Sequence, residues 1–247
     1  MRAEYDRIGA GYGQIRRPDP RLAAMIHSAL GDAKSIVNVG AGAGSYEPVE
    51  RCVVAVEPSR VMLDQHPGPL RVRAVAGSLP LLTGSFDAAM AIMTIHHWPD
   101  VHAGVAELRR VAHRQAVFTW DRDFEPELWI VSEYLPEIGQ LERSRFPSLA
   151  EVVAALDAHT VVPFEIPWDF TDGYQPAFWR RPEAYLDPVV RAASSTFAVL
   201  PDDVVAPAIA RLRADLRSGA WHARHRRLLE RETMDYGYRL VVAGHAS

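Results

Sequence analysis

Residues 35–59 read SIVNVGAGAGSYEPVERCVVAVEPS, and the fold is decided there. Ser35 to Val39 is a short β-rich run that ends on glycine, and Cys52 to Val56 is a second apolar run that ends on an acid, Glu57, followed by Pro58. Between them Gly40, Gly42 and Gly44 alternate with Ala41 and Ala43, so the chain bends where few side chains keep a ligand from the backbone. The order is strand, glycine turn, short helix, strand. A dinucleotide fingerprint places its third glycine one residue later than Gly44. The stretch from Ser45 to Arg51, Pro48 included, also leaves little helix to face a pyrophosphate. Glu57, at the end of the second strand, can accept both hydroxyls of a ribose lying over the turn. Turn and acid together specify a nucleoside without saying which.

Working outward, Asp19 caps a helix with Pro20 at its first position, and Gly31 stops it. Ser59 caps a helix through about His66, Leu70 to Ala76 reads as a third strand, and Phe86 to about Met93 as a fourth. Asp100 caps a helix whose Val101, Val105, Leu108 and Val111 share one face, and Ala116 to Trp120 is a fifth strand. Ser148 and Glu151 form a capping box, Thr160 to Ile166 follows as a sixth strand, and Tyr238 to Val242 is the last. Alternating helices and near-continuous apolar strands indicate an α/β protein with a parallel sheet covered on both faces.

Two long segments, 122–147 and 168–236, interrupt the alternation. Each leaves a strand at the carboxyl edge, where open α/β sheets bind ligands, so both are expected to overhang the site. Their aromatic residues, Trp129, Tyr134, Trp168, Phe170, Tyr174, Phe178 and Trp179, suit either the core of a lid or contact with substrate. The expected organisation is an N-terminal helical lid segment at 1–31, a cofactor-binding half of the core at 32–121, a cap insertion at 122–147, and the rest of the core at 148–247 with a helical insertion at 168–236.

A third element narrows the nucleoside. Leu79-Pro80-Leu81-Leu82-Thr83-Gly84-Ser85-Phe86-Asp87-Ala88, followed by Ile95-His96-His97-Trp98-Pro99-Asp100, resembles the LPF-x-DGSFD and HHLPD signatures of the class I S-adenosylmethionine-dependent methyltransferases. The resemblance is to their broad type 11 group, which includes ubiquinone- and menaquinone-pathway enzymes. With VNVGAGAG and VVAVEPS in the expected order it spans about residues 35–121, and Tyr5-Asp6 through Tyr12 to Arg16-Arg17-Pro18 resembles that group's entry segment. It implies a Rossmann-like, seven-stranded, mostly parallel sheet with a largely helical lid, and S-adenosyl-L-methionine as cofactor.

Carried position by position, the resemblance puts Gly40, Ala41, Gly42 and Gly44 beneath the methionine part of the cofactor, Glu57 on its ribose and Pro58 beside its adenine. Val75 stands where many relatives have an aspartate for the adenine amino group, which implies recognition through backbone near Ala76 and apolar packing. Asn38 stands where aspartate is common. The backbone at Ala91 would meet the cofactor's amino group, and Tyr12 with Arg16 or Arg17 would close over its carboxyl end. Arg17 fits the Arg-Pro pairing and Arg16 the spacing from Tyr12, and both remain candidates. The implied reaction is in-line methyl transfer to a small-molecule acceptor, with His97 as candidate base because imidazole exchanges protons near neutral pH. His96 and His97 are adjacent, so one is expected to face the cleft and the other the scaffold. A non-catalytic cofactor-binding or scaffold protein of the same fold is the second reading and an NAD(P)-dependent oxidoreductase the third.

Composition sets outer limits. The 247 residues are 48% apolar and 23% charged, enough to bury a sizeable core. A net charge of −4 disfavours nucleic acid as a default partner, and the basic run Arg224 to Arg227 reads as a solvated helix face or an anion grip. The longest charge-free apolar stretch, Ala88 to Pro99, is well short of the ~20 residues of a bilayer span, and Met1 to Asp6 is not a secretory leader, so a cytoplasmic location is expected. The single cysteine, Cys52, reads as a small buried thiol. His222 and His225 find no carboxylate-histidine set to complete a metal site, and no G-x-S-x-G turn supports serine hydrolase chemistry. The oligomeric state is not legible.

Overall fold

The computed structural model describes residues 16–245. In chain order it contains α1 (Pro20–Ala29), β1 (Ser35–Val39), β2 (Cys52–Val56), α2 (Arg60–Gln65), β3 (Arg71–Val72), β4 (Phe86–Ile92), α3 (Val101–Val111) and β5 (Ala112–Trp120). There follow α4 (Pro136–Arg145), α5 (Leu149–Leu156), β6 (Thr160–Pro163), β7 (Ile166–Pro167), α6 (Pro188–Ala192), α7 (Ser195–Val199), α8 (Asp202–Ser218), α9 (Ala220–Leu229), β8 (Thr233–Met234) and β9 (Tyr238–Gly244). The caps form as the sequence indicates. Asp19, Ser59 and Asp100 each accept a backbone N–H from the first turn of the helix they precede, and Ser148 and Glu151 bond reciprocally.

The main sheet has seven strands in the order β3-β2-β1-β4-β5-β9-β6. Strands β1 to β5 pair in parallel, and β9 runs antiparallel between β5 and β6. The chain moves outward from β1 through β2 to β3, then returns to place β4 on the other side of β1. A crevice must open at the carboxyl ends of β1 and β4, where the two crossovers diverge.

The two faces of the sheet carry two cores because side chains alternate along a strand. On one face Val37, Val39, Ala89, Ala91, Val117 and Val241 meet Val105, Leu108 and Val111 of α3 and Val152 and Leu156 of α5. On the other, Ile36, Met90, Phe118 and Leu240 meet Leu22 and Ile26 of α1. The described part of segment 1–31 is therefore a core helix with Leu22 and Ile26 fully buried, not simply an overhang. The same core continues into the two insertions through Trp129, Tyr134, Phe170, Trp179, Tyr185 and Trp221. Their polar edges are satisfied, Trp129 Nε1 donating to the Trp179 carbonyl at 2.7 Å and Trp179 Nε1 to the Ile166 carbonyl at 3.1 Å. Cap and sheet share one apolar interior.

Several expectations are corrected. No helix forms between the glycine turn and β2. Gly44 and Tyr46 take left-handed φ values of 85° and 67°, which a right-handed helix does not tolerate, and tight turns such as Gly44 N–H to the Ala41 carbonyl replace it. Cys52 is exposed rather than buried, because it opens β2 before the pairing with β3 begins at Ala55. Strand β3 is two residues long rather than seven, since its only partner, β2, gives way to Glu57 beyond Val56. Strand β6 stops at Pro163, and Ile166–Pro167 leaves the sheet to pair with β8 in a ribbon of its own. Strand β5 begins at Ala112, directly after α3, so it is longer than the apolar run suggested. No helix among the described residues is long and apolar enough to cross a membrane.

Candidate functional site

A cavity of ≈ 370 Å³ opens at the divergence of β1 and β4. Its floor is the turn after β1. Gly40 N–H donates to the Val56 carbonyl at 2.8 Å, so the turn folds back over the end of β2. Gly40 has φ +76°, and a Cβ there would stand 2.7 Å from the Cβ of Thr94, which follows β4. Only glycine lets β1 and β4 close to this distance. Gly42 N–H donates to Glu57 Oε2 at 3.0 Å and Ser59 N–H to Oε1 at 2.9 Å. The Glu57 side chain is thus oriented by the turn on one side and the start of α2 on the other, while remaining on the cavity wall. Each carboxylate oxygen has lone pairs beyond those bonds.

Asn38 lies on the pleat beneath the turn, 2% exposed. Its Nδ2 donates to Glu47 Oε1 at 2.9 Å, and since a carboxylate only accepts, this fixes which end of the amide is which. Its Oδ1 is buried with no hydrogen-bond partner among the described residues, on a residue that lines the cavity. Glu47 also bonds His66 Nε2 at 3.0 Å, and a Cβ on Gly44 would stand 2.8 Å from that nitrogen. Gly44 therefore packs against the scaffold and does not line the cavity, whereas Gly40, Ala41 and Gly42 do.

The far wall is built around Asp172, 2% exposed, which the cap brings down onto the turn. Asp172 accepts from Tyr46 Oη at 2.7 Å and forms an ion pair with Arg16. Burial, followed by the Asp172 charge, holds the Tyr46 phenol far above its usual titration range, so it stays a donor. Arg16 lines the cavity and Arg17 is exposed, which separates the two candidates by position. Tyr12 lies outside the described residues. Pro58, Val75 and Ala76 line the apolar side with Met62; Val75 is half exposed and Ala76 buried.

The Ala91 side chain is fully buried in the core on the α3 face, one residue before the cavity wall begins at Ile92. The chain leaves the sheet only at Met93, so Ile92, Met93 and Thr94 form that wall. His97, in the single turn Ile95–His97, lines the cavity with Trp98. His96 turns inward and stacks on Phe146 at 3.9 Å between ring centres. Burial, then the His97 and Arg145 charges, drives the His96 pKa well down, so its imidazole is neutral. Of the seven cap aromatics noted in the sequence, only Tyr174 reaches this cavity; most of the others are core.

Asp172, Tyr46 and Thr94 were missed by sequence reasoning. Tyr46 and Asp172 are 126 residues apart and no spacing announces their meeting. Within the basic run, Arg224 is paired with Asp215 and Glu133.

The donor and acceptor set fits a nucleoside with an amino-acid tail: Glu57 for paired hydroxyls, Pro58, Met62 and Ala76 for a flat base, the unpartnered Asn38 amide oxygen for an ammonium, and Arg16 for a carboxylate.

Residues 37–119 match the family model described as a methyltransferase domain. The chain is 30% identical to a solved structure from Anabaena variabilis ATCC 29413, a protein ascribed as a methyltransferase to an antibiotic biosynthesis pathway. That likeness covers 94% of this chain and 100% of the other with a TM-score of 0.87. A Bacillus subtilis (strain 168) protein named uncharacterized methyltransferase YcgJ is 29% identical over 126 residues, 46% of this chain and 49% of its own. The chain thus spans about half the length of that curated relative. The geranyl diphosphate C-methyltransferase of Streptomyces coelicolor A3(2), solved with S-adenosyl-L-homocysteine, shares the fold at 16% identity and a TM-score of 0.53, over 91% of this chain and 75% of that one.

Proposed function

Because the chain belongs to the class I S-adenosylmethionine-dependent methyltransferases, we propose that it transfers a methyl group to a small-molecule acceptor enclosed beneath its aromatic cap. S-adenosyl-L-methionine is its cofactor. When bound, it supplies a methyl group made electrophilic by the attached sulfonium.

The observation that carries this reading is the hydrogen bond from Gly42 N–H to Glu57 Oε2, which makes the glycine turn and the carboxylate one rigid cradle on one cavity wall. In this reading Glu57 accepts the ribose hydroxyls, with Pro58, Val75 and Ala76 flanking the adenine. Asn38 Oδ1 accepts from the ammonium. Arg16, steadied by Asp172, faces the carboxylate. Gly40, Ala41 and Gly42 let the tail lie against backbone.

Holding the cofactor this way leaves the protein two tasks, aligning the acceptor with the S–CH3 bond and keeping water out. The cap serves both, since its core is continuous with that of the sheet and it places Asp172 and Tyr174 on the cavity wall. A small acceptor suits a space of this size. His97 lines the cavity beside Trp98.

The test is incubation of the protein with methyl-labelled S-adenosylmethionine and a fractionated metabolite extract. Label is expected to appear in one low-mass fraction and to fall at least tenfold with the Glu57→Gln variant. Label confined to macromolecules would contradict the small-molecule reading.

A further inference from the structure

Behind the cofactor cavity lies a second, inner chamber of ≈ 50 Å³, room for about four waters or the reacting end of a ring. It adjoins the first, Arg16, Met93 and Tyr174 belonging to both walls. A further recess of ≈ 30 Å³ adjoins it through Trp120, Glu142, Gln175 and Tyr238.

The walls have a specific chemistry. Trp120, Phe146, Tyr174 and Tyr238 are flat and apolar, and His96 stacks parallel to Phe146 with 14° between the ring planes. Among them stand polar groups the protein does not satisfy. Tyr174 Oη and Gln175 Oε1 are buried without a hydrogen-bond partner among the described residues, on side chains 6% and 8% exposed, and His96 Nδ1 is in the same condition. Leaving such groups unpaired costs about 1–3 kcal/mol each, so three on one small chamber point to a ligand that pairs with them. Glu142 stands between the chamber and the recess. Its Oε1 accepts from Thr196 Oγ1 at 3.0 Å.

Resting on the methyl-transfer reading, we infer that the inner chamber is the acceptor subsite, that it takes the hydroxyl-bearing end of a small planar phenol-type molecule, and that Glu142 rather than His97 accepts the proton released in the transfer. Glu142 and Gln175 present acceptor oxygens, so the ligand brings a donor. The donor is neutral because the aromatic walls would have to strip the water from a charged one. The acceptor oxygen bonds to the methyl carbon as the carbon–sulfur bond breaks, its electron pair returning to sulfur, and the hydroxyl proton passes to the Glu142 carboxylate. Burial, countered by the Thr196 hydrogen bond, pushes the Glu142 carboxyl up to about 7, which suits a base working near neutrality. The charged or titratable groups bearing on it are Glu127, which raises it, Arg145 and Arg143, which lower it, and His96, Arg16 and Tyr238 on the chamber wall.

The experiment uses the full chain loaded with S-adenosyl-L-homocysteine and calorimetric titration with phenol, catechol, 1-naphthol and 7-hydroxycoumarin. Parallel titrations use anisole and 7-methoxycoumarin as hydroxyl-free partners and benzylamine as the cation. At least one phenol is expected to bind tenfold or more tightly than its methyl ether, with no preference for benzylamine. Gln175→Leu is expected to weaken that phenol. With a phenol that is methylated, turnover is expected to fall as pH drops below about 7, and Glu142→Gln is expected to lower it about 100-fold and abolish that limb while His97→Gln retains it. Equal binding of phenols and ethers, no binding of either, a preference for benzylamine, or loss of the limb in His97→Gln alone would overturn the inference. If no phenol is turned over, the binding comparison decides. S-adenosyl-L-homocysteine bound normally alongside any of these failures leaves the methyl-transfer reading standing, whereas failure to bind it removes both.

Discussion

Replacing Gly40 with alanine tests the cradle at its tightest point. The new Cβ would lie 2.7 Å from Thr94 Cβ and 2.8 Å from Thr94 Cγ2, and the residue would have to hold φ +76°. The left-handed conformation costs an L-residue about 1–2 kcal/mol. Forcing a methyl group into a closed contact costs about 1–3 kcal/mol more, because β1 and β4 are paired and cannot part without breaking the register Asn38 to Met90. Gly40→Ala should therefore destabilise the fold by about 2–5 kcal/mol, a large share of the roughly 5–15 kcal/mol typical of a domain. The two contributions separate in a double-mutant cycle. Thr94→Gly removes the colliding atoms but not the backbone strain, so the cycle should return a favourable coupling of about 1–3 kcal/mol and leave the remainder. Urea unfolding followed by tryptophan fluorescence gives all four stabilities. A loss below about 1 kcal/mol in Gly40→Ala, or zero coupling with Thr94→Gly, would show that the close approach of β1 and β4 is not what requires glycine.

Two further outcomes follow from buried charge. The folded state binds the Glu142 proton more tightly than an unfolded chain does, so the stability this group lends is present in full below pH 4.5 and is lost as pH rises through about 7. Glu142→Gln should then match the wild type near pH 4 and exceed it by up to about 3 kcal/mol at pH 8, measured by urea unfolding at each pH; parallel curves would show that the carboxyl is not perturbed. Asp172→Ala strips the acceptor from the Tyr46 phenol and the counter-charge from Arg16, and should cost about 2–4 kcal/mol and weaken S-adenosyl-L-homocysteine binding. Asp172→Asn, which can still accept one bond, should recover part of the stability but less of the binding.

The parts of this molecule legible in the sequence are those encoded locally. The parallel strands showed as apolar runs because both faces are buried, and the caps at Asp19, Ser59, Asp100 and Ser148 showed because each bonds within three residues of itself. The glycine turn and Glu57 were legible for the same reason, lying at consecutive strand ends. The short helix assigned after the turn was an error of continuity: Gly44 and Tyr46 take positive φ, and a tyrosine gives no warning of that. Cys52 looked buried because an apolar run was taken to be covered along its whole length, whereas its neighbour β3 begins three residues later. The cap's contribution was the least legible part. Asp172 and Tyr174 arrive at the cavity, and Glu142 and Gln175 at the inner chamber, through packing of aromatic segments that have no period. Chain order also could not distinguish His96 from His97, since only the stacking of Phe146 shows which ring turns inward.

The cradle formed by the Gly40–Gly44 turn and Glu57 is the claim everything else stands on, and calorimetric titration of S-adenosyl-L-homocysteine into the wild type and Glu57→Gln tests it most directly. Binding by the wild type, weakened at least tenfold in the variant by loss of charged hydrogen bonds worth about 1.5–3 kcal/mol each, is the expected result. Equal affinity in the two proteins, or no binding by the wild type, would contradict it.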